Sequence, residues 1–163
     1  MRKIHFLIAV VIVLLDRATK LLVARDIALH NSVQIIPRFF YLTHLENRGA
    51  AFGLFADSHS QWKASLLVLF SIVALVIVSA MLWRSRHAMA TTGIGLAMIM
   101  GGAIGNLWDR LLSGKVVDFL LFYLGSYEWP AFNVADSAIV IGAGLLLVEI
   151  LFAKATPPAP RAT

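Results

Sequence analysis

The chain has 163 residues, 60% of them hydrophobic and only 14% charged, with a formal charge of +5. Soluble domains average about 45–50% apolar and about 25% charged residues, so this balance excludes an ordinary water-soluble globule and indicates an integral membrane protein. There is no cysteine, which excludes disulfides, thiolate metal sites and a cysteine nucleophile.

Four stretches meet the requirement of about 20 apolar residues for a membrane-spanning helix. Residues 4–23 form the first, interrupted by Asp16, Arg17 and Lys20. The basic start Met1-Arg2-Lys3 would also suit a signal peptide. The three charges follow the apolar run too closely, however, and no small-x-small cleavage site separates them, so an uncleaved span is expected. The loop at about 31–58 comes next. Its segment 32–45 is rich in β-branched and aromatic residues, with Pro37 confining it to an edge or a bend. A glycine turn at 47–49 then leads into Phe52-Gly53-Leu54-Phe55. The expectation is a small antiparallel sheet on the membrane face, with Phe39, Phe40, Phe52 and Phe55 available to lipid.

Residues 64–83 form an uncharged second span, and residues 88–110 a glycine-rich third, uncharged until Asp109. The loop 111–132 carries Phe119, Phe122, Tyr123, Tyr127 and Trp129 and predicts a short interfacial helix. Residues 133–153 form the fourth span, interrupted by Asp136 and Glu149. Snorkelling accounts for Glu149. The proline-rich tail 156–163 is expected to be disordered. Arg2, Lys3, Arg84, Arg86, Lys154 and Arg161 occupy the short segments on one side, which the positive-inside rule assigns to the cytoplasm together with both termini. The architecture expected is a single integral membrane domain, residues 1–155: an all-α bundle of four transmembrane helices with an extracytoplasmic antiparallel sheet.

The polar interruptions share one depth. At 1.5 Å per residue, Asp16 lies about 18 Å and Lys20 about 24 Å along the first span, and their i, i+4 spacing puts them on one face. Asn106, Asp109 and Arg110 close the third span, Asn133 and Asp136 open the fourth, and Asp118 lies on the loop between them. A lone charge at the bilayer centre costs roughly 2.5–3.5 kcal/mol on insertion scales, so a layer of such residues needs a reason. Asp16–Lys20 and Asp109–Arg110 suit ion pairs that hold the bundle together. Asp118 and Asp136 have apolar neighbours and, Lys115 aside, no cation nearby on their own elements. Two carboxyl groups forced together in such a place share a proton, as an aspartyl peptidase requires. Asn133 could cap the fourth helix or orient Asp136, and Asn106 could hold substrate backbone. Gly101, Gly102 and Gly105 permit close helix approach.

Spacing alone leaves three functions open: this peptidase, a proton- or ion-coupled transporter, and a non-catalytic assembly factor whose charges serve packing. The transporter reading lacks an inverted repeat and a midplane site. The scattered histidines make no metal motif, and Ser60-Gln61-Trp62-Lys63 matches S-x-x-K without its companion motifs. No phosphate-cradling loop or nucleic-acid-binding stripe is present.

Five blocks in order settle the resemblance: Asp16-Arg17-Ala18-Thr19-Lys20, Asn47-Arg48-Gly49-Ala50-Ala51-Phe52-Gly53, Gly101 to Arg110 (GGAIGNLWDR), Val116-Val117-Asp118-Phe119 and Phe132-Asn133-Val134-Ala135-Asp136-Ser137. Along nearly its whole length the chain resembles the bacterial lipoprotein signal peptidases (signal peptidase II). Trp108 and Leu120 depart only at positions regarded as variable. The resemblance implies an aspartic endopeptidase of the bacterial inner membrane with Asp118 and Asp136 as the catalytic dyad. Its substrate would be a diacylglyceryl-modified prolipoprotein, cut just before the lipidated cysteine. Asp16, Lys20, Asn47, Asn106, Arg110 and Asn133 would support the site or hold substrate. No metal or organic cofactor is implied, and the enzyme would act as a monomer in contact with membrane lipid.

Overall fold

The computed structural model describes residues 2–49, 61–84 and 91–152. Helix α1 spans Arg2–Asp26, and strands β1 (Ser32–Ile36) and β2 (Phe40–Asn47) follow it. Helices α2 (Gln61–Arg84) and α3 (Thr91–Ser113) precede strands β3 (Val116–Leu124) and β4 (Tyr127–Phe132), and helix α4 (Val134–Phe152) completes the order. The expected spans therefore fall on α1 to α4. Helices α2 and α4 are long and apolar enough to cross a membrane. Helices α1 and α3 carry most of the polar layer.

Buried positions on α1 recur at His5, Ala9, Ile12, Asp16, Lys20, Val23 and Ile27, a three-and-four spacing that makes one continuous stripe. Leu7, Leu14, Leu15, Leu21 and Leu22 face outward. This inverts the soluble-protein pattern: Asp16 and Lys20 face inward and the leucines face the surroundings. Helix α3 packs between α1, α2 and α4. Its Gly102, Gly105, Asn106 and Asp109 are buried along one face, again at helical spacing. A side chain on Gly102 would put Cβ 2.3 Å from the carbonyl oxygen of Ala135 on α4, and one on Gly105 would put it 2.7 Å from Asp16 Oδ2. Glycine at these positions lets α4 approach and leaves room for the α1 carboxylate.

The four strands form one antiparallel sheet in the order β1-β2-β3-β4. This corrects the expected interfacial helix between the third and fourth spans, because residues 116–132 form two strands instead. Their runs Val116-Val117 and Phe119 to Tyr123 are β-branched, leucine and aromatic residues that stack across strands, and Gly125, at φ 66°, makes the tight turn between them. Pro37 does mark a bend, the β1–β2 turn, where Arg38 adopts φ 59°. The possible strand at Phe52 to Phe55 and the 156–163 tail lie outside the described residues, as does Ser60 of the S-x-x-K match.

A register shift between Leu42 and Leu45 turns part of β2 toward the end of α1. There His30 N donates to the His44 carbonyl at 2.9 Å, His44 N donates to the Asn31 carbonyl at 3.1 Å, and His44 Nδ1 lies 2.8 Å from the Ile27 carbonyl. Val23, Ile27 and Phe119 form the small core beneath this joint. The sheet is thereby seated on the end of the bundle where the polar side chains converge.

Candidate active site

Asp16 and Lys20, one turn apart on α1, meet at 2.7 Å with both side chains almost fully buried. Lys20 Nζ also lies 2.7 Å from Asp109 Oδ2, and Arg17 reaches Asp109 Oδ1 at 3.0 Å. Two carboxylates and two cations thus make a formally neutral quartet across α1 and α3. The expected Asp109–Arg110 pair does not form, because successive helical residues point about 100° apart. Asp109 lies four residues after Gly105, whose face looks onto Asp16 of α1. Arg17, which was not among the expected site residues, belongs to this quartet.

Asp16 has a second task. Its Oδ1 accepts the backbone N–H of Ala135 at 2.9 Å, satisfying a donor in the first turn of α4 beside Asp136. Asn133 caps the same turn from within. Its Oδ1 accepts from Asp136 N at 2.9 Å, and Asp136 Oδ2 accepts from Asn133 N at 3.3 Å. This reciprocal arrangement is a capping box.

Three asparagines aim amide N–H groups at the two remaining carboxylates. Asn133 Nδ2 donates to Asp118 Oδ1 at 2.7 Å, Asn47 Nδ2 to Asp118 Oδ2 at 2.9 Å, and Asn106 Nδ2 to Asp136 Oδ1 at 2.7 Å. Each amide oxygen is held by a donor elsewhere: Asp136 N for Asn133, Gly49 N at 2.8 Å for Asn47, and Lys20 Nζ at 3.1 Å for Asn106. With its oxygen engaged, each amide can only turn its nitrogen toward the carboxylate. Lys20 thus connects the charged quartet to Asp136 through Asn106.

Asp118 lies in strand β3, not in an open loop, and its residue is only 4% exposed. Asn133 bonds to both Asp118 and Asp136, so one residue brings the two carboxyl groups together. Burial pushes the Asp118 carboxyl up to about 6, and the neighbouring Asp136 charge adds to the rise. The Asn47 and Asn133 amides oppose it by favouring the ionised form. Arg110 lies within electrostatic reach of both carboxylates but is tied to backbone carbonyls, Asn106 at 3.4 Å and Gly49 at 3.3 Å. Its Nε is buried without an acceptor among the described residues. Lys115 is engaged with Glu46 at 2.7 Å. All eight expected site residues therefore fall into one connected cluster. At the other end of the bundle, Glu149 does not snorkel: its carboxylate accepts from Thr92 N in the first turn of α3.

Among known proteins, the family model described as Signal peptidase (SPase) II matches residues 8–152. A lipoprotein signal peptidase of Desulforapulum autotrophicum is 50% identical over 153 residues, covering 91% of each chain. One of Solibacter usitatus is 45% identical over 147 residues, covering 90% of each. Two solved structures described as bacterial membrane enzymes are also similar. One has a TM-score of 0.85 at 28% identity over 99% of this chain and 95% of that one. The other has a TM-score of 0.82 at 30% identity over 93% of this chain and 95% of that one.

Proposed function

The chain belongs to the signal peptidase II family, proteases that remove signal peptides from lipoproteins, and on that premise we propose that it is an aspartic endopeptidase acting through Asp118 and Asp136. The observation that carries this reading is a pair of carboxyl groups, Asp118 buried on a strand and Asp136 half-buried at the start of a helix, bridged by Asn133. With one proton shared between them, the pair carries a single negative charge that the nearby Arg110 balances. The low-dielectric end of the bundle favours that state over two ionised carboxylates.

In this state the ionised carboxylate takes a proton from a water molecule, which attacks the scissile carbonyl carbon. The protonated partner gives its proton to the carbonyl oxygen, and a gem-diol forms between the two groups. Its collapse transfers a proton to the amide nitrogen, breaks the C–N bond and returns one proton to the pair. The asparagine amides keep both carboxyl groups oriented throughout. Arg110, whose Nε has no acceptor among the described residues, is the group that would hold a substrate carbonyl in this reading.

The substrate in this reading is a prolipoprotein whose cysteine already carries diacylglycerol. It is cut immediately before that cysteine, at the extracytoplasmic face of the inner membrane, with both enzyme termini in the cytoplasm. The lipid anchor fixes the scissile bond at the depth of the site, while the apolar signal peptide stays in the bilayer. The test is mass determination of products after purified protein meets a lipidated precursor. Asp118→Asn and Asp136→Asn should each lower cleavage by about 10³-fold or more while thermal stability holds. Substantial cleavage by either variant removes the dyad.

A further inference from the structure

A groove of about 450 Å³ starts at Asp136 and runs under the sheet along α4. Phe122, Trp129 and Phe132 line the side formed by the strands, and Ser137, Val140 and Ile141 follow Asp136 along the helix. Phe122 stacks on Phe132 at 5.8 Å and on Phe40 at 4.7 Å, which fixes the aromatic wall. Val140 and Ile141 are 59% and 54% exposed on a helix apolar enough to cross a membrane, so the far end of the groove continues into the bilayer-facing surface. The near end is the proposed catalytic carboxyl group.

The lining describes the occupant. Ser137 Oγ donates to the Asn133 carbonyl at 2.9 Å and offers no free proton to a polar ligand. Among the described residues, the groove presents no charge beyond Asp136. A peptide helix is about 10–12 Å across, so it would fill this volume in roughly one turn and could not lie along it. An unbranched hydrocarbon chain can. Resting on the reading of a lipid-modified substrate, we propose that this groove holds one acyl chain of the substrate's diacylglyceryl group, placing the modified cysteine against Asp136.

An acyl chain in a bilayer is already in apolar surroundings, so moving it into the groove releases little hydrophobic free energy. The benefit is orientation. A seated chain limits where the glycerol carbons and the adjoining peptide bond can be, and such positioning converts directly into rate. A chain too short to reach Val140 would forfeit it.

The experiment compares lipopeptides with palmitoyl and with hexanoyl chains, cleaved by the full-length enzyme and by Val140→Trp. Val140 is exposed and outside the catalytic cluster, and the unfolding temperature of the variant verifies its fold. Wild-type enzyme should cleave the palmitoyl substrate about tenfold faster, and Val140→Trp should reduce the ratio below about twofold by slowing only the long-chain substrate. An equal ratio in both enzymes overturns the groove assignment and leaves the peptidase reading standing. Failure of wild-type enzyme to cleave either lipopeptide overturns both. Independently, a photoreactive group midway along the acyl chain should label β3, β4 or α4 in the Asp118→Asn protein. Labelling confined to α2 or α3, or labelling of the groove from the signal peptide instead, overturns the assignment.

Discussion

Away from the sheet, α3 and α4 meet through Gly95 and Gly142, whose added Cβ atoms would lie 2.8 and 2.6 Å from the opposite glycine's carbonyl oxygen. At the sheet end they meet through Gly102, where an added Cβ would lie 2.3 Å from the Ala135 carbonyl oxygen. The contact is alike and its neighbours are not. Next to the first contact are Ile99, Leu145 and Leu146. Next to the second is Ile139, but one turn further on Gly105 meets Asp16, where the buried polar cluster of Asp16, Lys20, Asn106, Asp109, Asn133 and Asp118 begins. Close backbone approach thus serves ordinary packing at one end. At the other it makes a compartment in which buried polar side chains from α1, α3, α4 and the sheet meet one another.

The largest way to break this contrast is to unbalance the charged quartet. Lys20→Met leaves Asp16 and Asp109 with Arg17 alone, and removing one partner of a buried ion pair typically costs about 3–5 kcal/mol. Thermal unfolding in detergent should register a loss of that size. Adding Asp16→Asn and Asp109→Asn to the same chain should recover part of it. A Lys20→Met protein as stable as the wild type would mean that the quartet contributes nothing to folding.

Gly102→Ala and Gly95→Ala sharpen the contrast with a smaller effect. Each forces a methyl group into a backbone contact, and overpacking of this kind costs about 1–3 kcal/mol. Their activities should diverge. Gly102→Ala pushes on Ala135, beside Asp136, and a misplacement near 1 Å at a reacting group costs about 10²-fold in rate. Gly95→Ala shifts only the remote end and should retain activity within about threefold. Paired unfolding and cleavage measurements decide: equal loss of activity in both would mean that the two ends are mechanically continuous.

Much of this contrast is legible in the residue order. Charges at one depth, i, i+4 spacings and glycines at helical intervals locate the compartment without coordinates, because helix geometry alone fixes depth and face. Partner choice is harder to read. Asp109 and Arg110 are sequence neighbours, yet Asp109 turns to Lys20 and Arg17 while Arg110 turns to the Gly49 carbonyl. The β3–β4 hairpin is obscured for a different reason. Its aromatic residues suit an interfacial helix and a strand alike, and pairing of β3 with the distant β2 decides between them. Glu149 shows the same limit, since its partner, Thr92, lies in another helix.

The smallest effect separates Asp118 from its supports. Asp118 titrates in the folded protein at about 6, well above an unfolded aspartate, so between about pH 4 and 6 the native state holds a proton that the unfolded chain has lost. Its contribution to stability therefore declines as pH rises through that window and is constant above it. In the cleavage reaction the same ionisation belongs to the coupled pair and should appear as an inflection in kcat/KM near pH 6. Asn47 donates to Asp118 Oδ2 and favours the carboxylate, so Asn47→Ala must move the inflection to higher pH. Asn47 lies on β2, outside the helices, so the substitution leaves the quartet and the α3–α4 contacts unaltered. A rate loss without movement of the inflection would give Asn47 a purely structural role. Movement to lower pH would mean that the hydrogen bond favours the protonated form, with Asp118 entering the reaction as the acid.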